Sequence, residues 1–360
     1  MSFSDILDQT VPVRLLRNII QTGRIPNGLL FWGPGGVGKH FTAMELAKAV
    51  NCLEDPLDAC DRCLACRKVT NNTHPDVKRI IPSGKSRFIG VDIVDFMNEL
   101  ATYRPFEGKW RIFIIEEAER MREDAQNHFL KTLEEPPSNT VFVLLTEYPR
   151  RLLPTIRSRC QQVRFGALSP ETVTDLLLKE RDLPREVALA LAAVSQGQMS
   201  RALDLVDSDK RDVVLDVTHR LAQGEDPLLL SEEFVAYLKR AGEAIKASVA
   251  DDSAGDDPKA ESREDREEQK QEQMALVEAL VRRDMMEYLY LFEAWYRDVI
   301  AYANTGDGVH VLNRDQLNRL QQEPGGKGDK LAAIEQAWLY IERNLNIDRV
   351  FRDLFFALAA

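Results

Sequence analysis

The string Gly33-Pro34-Gly35-Gly36-Val37-Gly38-Lys39-His40 has the G-x-x-x-x-G-K spacing of a phosphate-binding loop. Glycines let successive backbone N–H groups turn inward as an anion nest, and the helix N-terminus that follows adds positive potential. Lys39 is then placed to neutralise the β- and γ-phosphates of a nucleotide such as ATP. The eighth position departs from the motif. A Ser or Thr hydroxyl there would ligate Mg²⁺, a hard cation that prefers oxygen, whereas His40 offers imidazole. A second acidic feature, Glu116-Glu117, ends the apolar run 111–115. In that place the first acid normally holds the metal's hydration shell and is usually Asp, and Glu116 is one methylene longer. Glu117 is the residue type that orients an attacking water. Both departures fall on the same metal ion, so the expectation is a site where ATP binds but hydrolysis is slow or absent. A solvated turn is the plainer alternative for the two acids.

Cys52, Cys60, Cys63 and Cys66 follow C-x7-C-x2-C-x2-C, enough thiolates for one tetrahedral site. Four protein ligands leave no position for water, which points to structural Zn²⁺. An iron–sulfur reading would want a fourth Cys shortly downstream followed by Pro, which is missing here. Unligated thiols at two-residue gaps are a poor way to fill an apolar core. Five cysteines, four of them clustered, do not resemble a secreted disulfide framework.

The elements that must position these groups follow from hydropathy. Residues 29–32 form a short apolar strand before the glycine loop, and Phe41, Met44, Ala47 and Val50 give the helix after it. A strand at 77–81 is stopped by Pro82, and Ile93, Val94, Met97 and Leu100 mark a second helix. Residues 111–115 and 141–145 contain continuous apolar runs without alternation, the pattern of strands buried in a parallel sheet. Beyond Phe165 the pattern is helical throughout, starting at Leu168-Ser169-Pro170-Glu171 with a Ser N-cap and Pro at the first helical position. Residues 247–272 nearly lack apolar side chains, so a disordered or fraying-helix insert is expected, with an acidic interaction tail as the alternative. Later helices are marked by Leu276, Leu280, Tyr288, Leu291 and Trp295, then by Leu331, Ile334, Trp338, Ile341 and Leu345, with a loop at 323–328 between them.

With 360 residues, the chain has room for two or three domains. The net charge of −11 argues against general adhesion to a polyanion, although residues 251–272 alone hold ten acids against four bases. The first residues lack a secretory signal pattern and no stretch has eighteen uninterrupted apolar residues, so a soluble, cytoplasmic protein without a membrane partner is expected.

Together these features resemble the gamma/delta-prime type of bacterial DNA polymerase III clamp-loader subunit, a AAA+ family. The resemblance rests also on Phe3-Ser-Asp-Ile-Leu-Asp-Gln9 at the start, Gly23-Arg24-Ile25 before the first strand, and the run from Asn127 through Leu-Glu-Glu-Pro-Pro137. Thr155-Ile-Arg-Ser-Arg-Cys160 carries a Ser-Arg-Cys signature, and Asn344-Leu-Asn346 leads into a closing apolar helix. What the resemblance implies is an α/β P-loop AAA+ domain with a parallel sheet over residues 1–166, its zinc module at 52–66. A small helical lid over 167–207 and an all-α collar over 208–360, carrying the 247–272 insert, would follow. Arg159 would be an arginine finger acting in trans, Thr146 would take the sensor 1 position, and Arg201 would sit near the sensor 2 position. Within the family the pattern is most similar to delta-prime, because His40 and Glu116 replace the Thr and Asp of gamma-type motors. The implied partners are gamma/tau-type and delta-type subunits in a hetero-pentamer, the sliding clamp, and primed DNA through the complex. A gamma-type ATPase and a AAA+ adaptor outside replication are the alternatives.

Overall fold

The computed structural model describes residues 2–82, 88–251, 263–322 and 329–360. Its contacts divide the chain into two compact units, Met1–Thr172 with Gly197–Ser200, and Val173–Gln196 with Arg201–Ala360.

The first unit is built on a five-stranded parallel sheet. In chain order its elements are α1 (Thr10–Thr22), β1 (Gly28–Trp32), α2 (Lys39–Asn51), α3 (Leu64–Thr70), β2 (Val77–Ile80) and α4 (Val91–Thr102). They continue with β3 (Arg111–Ile115), α5 (Glu123–Glu134), β4 (Thr140–Thr146), α6 (Pro154–Arg159) and β5 (Gln161–Arg164). The spatial order is β2-β3-β4-β1-β5. The central strands β3 and β4 are buried at every position and β1 at all but Trp32, as their unbroken apolar runs require. One face packs Phe31, Ile112, Ile114 and Val143 against Leu16 and Ile20 of α1 and Leu46 and Val50 of α2. The other packs Phe113, Ile115 and Phe142 against Val94 and Met97 of α4 and Phe129 of α5. Phe113 and Phe142 stack at 5.2 Å, and Phe129 meets Phe142 edge-on at 5.1 Å.

The helix after the glycine loop is more enclosed than its three-to-four spacing implies. Residues 42–51 are all buried, so α2 runs inside the unit instead of presenting one apolar stripe to it. Its buried Glu45 and Lys48 pair with each other at 2.8 Å, which makes their burial tolerable. A second buried ion pair closes the start of β3. Asp76, fully buried, accepts from the N–H groups of Phe106, Glu107 and Gly108 and from Arg111 Nη2.

The second unit is helical among its described residues. It contains most of α7 (Pro170–Glu180), then α8 (Arg185–Val194), most of α9 (Met199–Asp207), α10 (Lys210–Ala222), α11 (Pro227–Asp251) and α12 (Arg263–Thr305). The remaining helices are α13 (Leu317–Leu320), α14 (Asp329–Glu342) and α15 (Ile347–Ala359). Ser169 Oγ accepts from Thr172 N at 3.2 Å, capping α7 where the Ser-Pro pattern places the start. Phe234 sits among Tyr288, Phe292, Phe351 and Phe355 with centroids 5.1 to 5.7 Å away, so α11, α12 and α15 share one aromatic core. Arg211 bonds both Asn313 and Asp315, and Asn313 in turn donates to the buried Asp298.

Helix reaches into both ends of the acid-rich segment, since α11 extends to Asp251 and α12 begins at Arg263. The Glu, Arg, Gln and Lys that deprive this stretch of a core are good helix formers, and propensity carries the flanking helices further than hydropathy does. The middle of that segment and the loop expected at 323–328 lie outside the described residues. Among the described residues, no helix is long and apolar enough to cross a membrane.

Candidate nucleotide site and metal centre

The glycine loop leaves the C-terminal end of β1, where the sheet order reverses between β4 and β5. That is the crevice in which open α/β sheets bind ligands. Gly33 N donates to Thr146 O at 3.3 Å, so the end of β4 fixes the first turn of the loop. Gly33, Gly36 and Gly38 have φ of 152°, 67° and 93°, conformations that favour glycine. Close approach matters as much as dihedral freedom at Gly36, where a Cβ would lie 2.2 Å from Ser200 N. At Gly35 a Cβ would come within 2.7 Å of Glu147 Oε1. This tight glycine turn onto the N-terminus of α2, with a lysine beside it, fits a polyphosphate.

Lys39 Nζ donates to the carbonyls of Gly33 and Pro34 at 2.6 and 2.5 Å, so its ammonium lies over the loop. Burial pulls its pKa below the ordinary value, opposed by Glu147 and Glu119. Thr146, at the end of β4, is buried, and its hydroxyl accepts from Tyr148 N at 3.0 Å.

The metal corner of the loop holds a cluster of three side chains. Arg79, from β2, donates through Nε and Nη2 to Glu116 Oε1 at 3.0 and 2.7 Å. His40 Nδ1 approaches the same oxygen at 3.3 Å, within ion-pairing distance but not aligned for a hydrogen bond. Burial alone would push Glu116 up. The His40 and Arg79 side chains outweigh it and hold the carboxyl below its ordinary range. This donor set does not fit a hydrated Mg²⁺, because the Glu116 carboxylate is committed to a guanidinium and an imidazole stands where the motif has a hydroxyl. Glu117 follows with φ of 45° and ψ of 48°, a left-handed conformation unfavourable by roughly 1 kcal/mol for a residue with a Cβ. Its carboxylate accepts from Arg120 Nε.

Arg159 ends α6, half-exposed, with Nη2 2.5 Å from Glu134 Oε1 and Nη1 3.3 Å from Thr155 O. The neighbouring Cys160 is buried, its thiol pushed up to about 12 by desolvation, and a Cβ on Gly28 would meet its Sγ at 3.0 Å. The Cys of the Ser-Arg-Cys run is therefore a wedge against β1 that sets where Arg159 leaves the surface. Arg201 lies in the helical unit, where both Glu287 oxygens accept from it at 2.6 Å and its guanidinium stacks 3.8 Å from the Tyr290 ring centroid.

The four cysteines are brought together. Cys52 caps the C-terminus of α2, Cys63 caps the N-terminus of α3, Cys66 lies in its first turn, and Cys60 comes from the loop between. Their Sγ atoms all lie within 4.8 Å of one another. Backbone N–H groups of Asp55, Cys63 and Cys66 donate to Cys52, Cys60 and Cys63 Sγ at 3.3 to 3.4 Å, an arrangement suited to thiolates. Four sulfurs at these separations fit one tetrahedral soft-metal ion.

Arg79 is the participant that sequence reasoning missed. The signal was a basic residue interrupting a strand, but its partner is 37 positions away and meets it only through the parallel pairing of β2 with β3.

Residues 8–169 match the family model described as DNA polymerase III, delta subunit. The chain is 35% identical over 198 residues to the DNA polymerase III subunit delta' of Bacillus subtilis, covering 55% of this chain and 59% of that protein. It is 31% identical over 235 residues to the tau subunit of the same organism, covering 64% of this chain and 40% of the relative. With the tau subunit of Escherichia coli it shares 34% over 343 residues, 93% of this chain and 46% of the relative. The chain thus spans less than two thirds of the length of these relatives. Among solved structures it is similar to a DNA polymerase III gamma subunit-related protein of Thermotoga maritima, at 20% identity and a TM-score of 0.39 over 96% of this chain and 98% of that one. The parallel sheet and the glycine loop at its switch point define a P-loop α/β unit. Its sequence is similar to the delta-prime and gamma/tau subunits of bacterial DNA polymerase III.

Proposed function

We propose that this chain is a delta-prime-like subunit of a replicative clamp loader, with a degenerate ATP site of its own and an arginine that serves a neighbour's. The observation that carries the reading is the pairing of Arg79, Glu116 and His40 where a hydrolysing site needs a metal shell. Lys39 and the glycines retain the means to hold phosphate, whereas Glu117 has no Mg²⁺-bound γ-phosphate to work on. Arg159 stands at the end of a short helix with only an exposed glutamate and a carbonyl to release.

In this reading residues 1–166 are the AAA+ domain, 167–207 a lid and 208–360 a collar that joins a hetero-pentamer with gamma/tau-type and delta-type subunits. The assembly opens a sliding clamp and places it on primed DNA in the cytoplasm. Thr146 stands at the sensor 1 position, Arg201 serves as sensor 2 once released from Glu287, and the four cysteines hold Zn²⁺. Arginine fingers contribute about 10³- to 10⁵-fold in rate where they act. Arg159→Ala in the reconstituted complex is expected to cut DNA-stimulated ATP turnover without dissociating the subunits. Unchanged turnover removes the finger role.

The 34% identity to a tau subunit over 93% of this chain favours a second reading, an active gamma-type ATPase. Hydrolysis by the isolated chain, with and without His40→Thr, separates the two. Robust turnover by the unaltered chain supports the second reading.

A further inference from the structure

We infer that the loop binds a nucleoside di- or triphosphate without a divalent cation, Arg79 and His40 standing where the ion would be. The inference rests on the reading of residues 33–40 as a nucleotide loop and adds the metal-free character of its ligand.

The argument starts from charge. A phosphate loop that uses Mg²⁺ provides one lysine, a neutral hydroxyl and an acid that holds the ion's water shell. Here the acid, Glu116, is ionised and already has a fixed cationic partner in Arg79, bonded through two nitrogens to one oxygen. The guanidinium cannot lose its charge, so a divalent cation entering this corner would meet like charge at close range. It would also find Glu116 Oε1 shared between Arg79 and His40.

The geometry of the neighbouring elements makes the substitution durable. Glu116 N donates to Ile80 O at 2.9 Å, which ties the residue after β3 to the end of β2. Arg79 is in register with Ile114, whose side chain belongs to the core on the α2 face of the sheet. The strand pairing therefore aims Arg79 at the first turn of α2, where His40 sits. Guanidinium is also the cation best suited to phosphate oxygens, since its planar fork can bond two of them. Once polyphosphate lies in the nest, Lys39 flanks it on one side and the Arg79 guanidinium on the other. Because no ion bridges the β- and γ-phosphates, the bound nucleotide is a structural ligand that stays intact.

The test is a titration of the full-length chain with a fluorescent ADP and a fluorescent ATP, in EDTA and in excess Mg²⁺. The expected result is binding in EDTA at least as tight as in Mg²⁺. Binding that strengthens about tenfold or more on adding Mg²⁺ overturns the inference, as does an absence of binding in both buffers. In Arg79→Ala, with folding checked by circular dichroism, affinity in EDTA should fall by about tenfold and the freed Glu116 should make binding respond to Mg²⁺. Unchanged affinity in EDTA for that variant also overturns it. The subunit reading fails separately, through Arg159→Ala in the assembled complex, and that outcome leaves this titration untouched.

Discussion

Lys48, on the phosphate-loop helix, and Asp61, in the cysteine loop, are joined Nζ to Oδ1 at 2.8 Å. The same ammonium bonds Glu45 Oε1 at 2.8 Å, so one buried cation bridges two acids and fastens the cysteine loop to α2. Removing it leaves Glu45, fully buried, without its counter-charge. Lys48→Met is therefore expected to destabilise the chain by about 3 kcal/mol, measured as a shift of the urea midpoint at constant slope. A loss within the range of surface substitutions would show that the pair contributes little.

The cysteine cluster predicts its own stoichiometry. Elemental analysis should find about one zinc per chain, because four thiolates close a tetrahedral site. Cys66→Ser, which replaces a fully buried ligand, should lower the metal content and release hydrogen-exchange protection in α3 and the C-terminal turn of α2. Full zinc content in that variant would argue for a different ligand set.

Asp76 gives a dependence on pH. Burial on its own would raise its pKa, but the N–H groups of Gly108, Glu107 and Phe106 and the Arg111 guanidinium outweigh burial and hold it below the ordinary value. A carboxylate with a depressed folded pKa contributes stability above the unfolded pKa of about 3.9, and that stability is lost as pH falls through the folded value. Asp76→Asn should flatten the acid limb of a plot of unfolding free energy against pH. It should also destabilise at neutral pH by about 3 kcal/mol, because Arg111 keeps its burial and loses its counter-ion.

Arg159 and Glu134 form a pair of the opposite kind. Both side chains are more than a third exposed, so Glu134→Gln should change stability by no more than about 0.5 kcal/mol. In the assembled complex the same variant should leave ATP turnover intact, in contrast with Arg159→Ala. A large stability loss in thermal melts of the isolated chain would recast the pair as structural.

The central strands were legible in the sequence because burial on both faces writes an unbroken apolar run, as Ile112 to Ile115 does. β5 was not, because only Val163 of its four residues is buried and an edge strand needs one apolar anchor. The glycine loop and the cysteines could be read from spacing, since local geometry dictates both. Arg79 with Glu116, Lys48 with Asp61, and Asp76 with Arg111 are products of folding: each joins residues that only the sheet or a loop excursion brings close. The left-handed Glu117 is likewise invisible to composition, which carries no record of a strained turn.

α2 begins at Lys39, in the glycine loop, and is capped by Cys52, in the metal cluster. Thirteen residues of helix make a rod of about 20 Å, enclosed by protein along most of its length. An ion held by the cysteines would pin one end of this rod and restrict the other, lowering the entropy that a phosphate would have to remove in ordering the loop. By linkage, a polyphosphate bound in the loop would then tighten metal binding by the cysteines to the same degree.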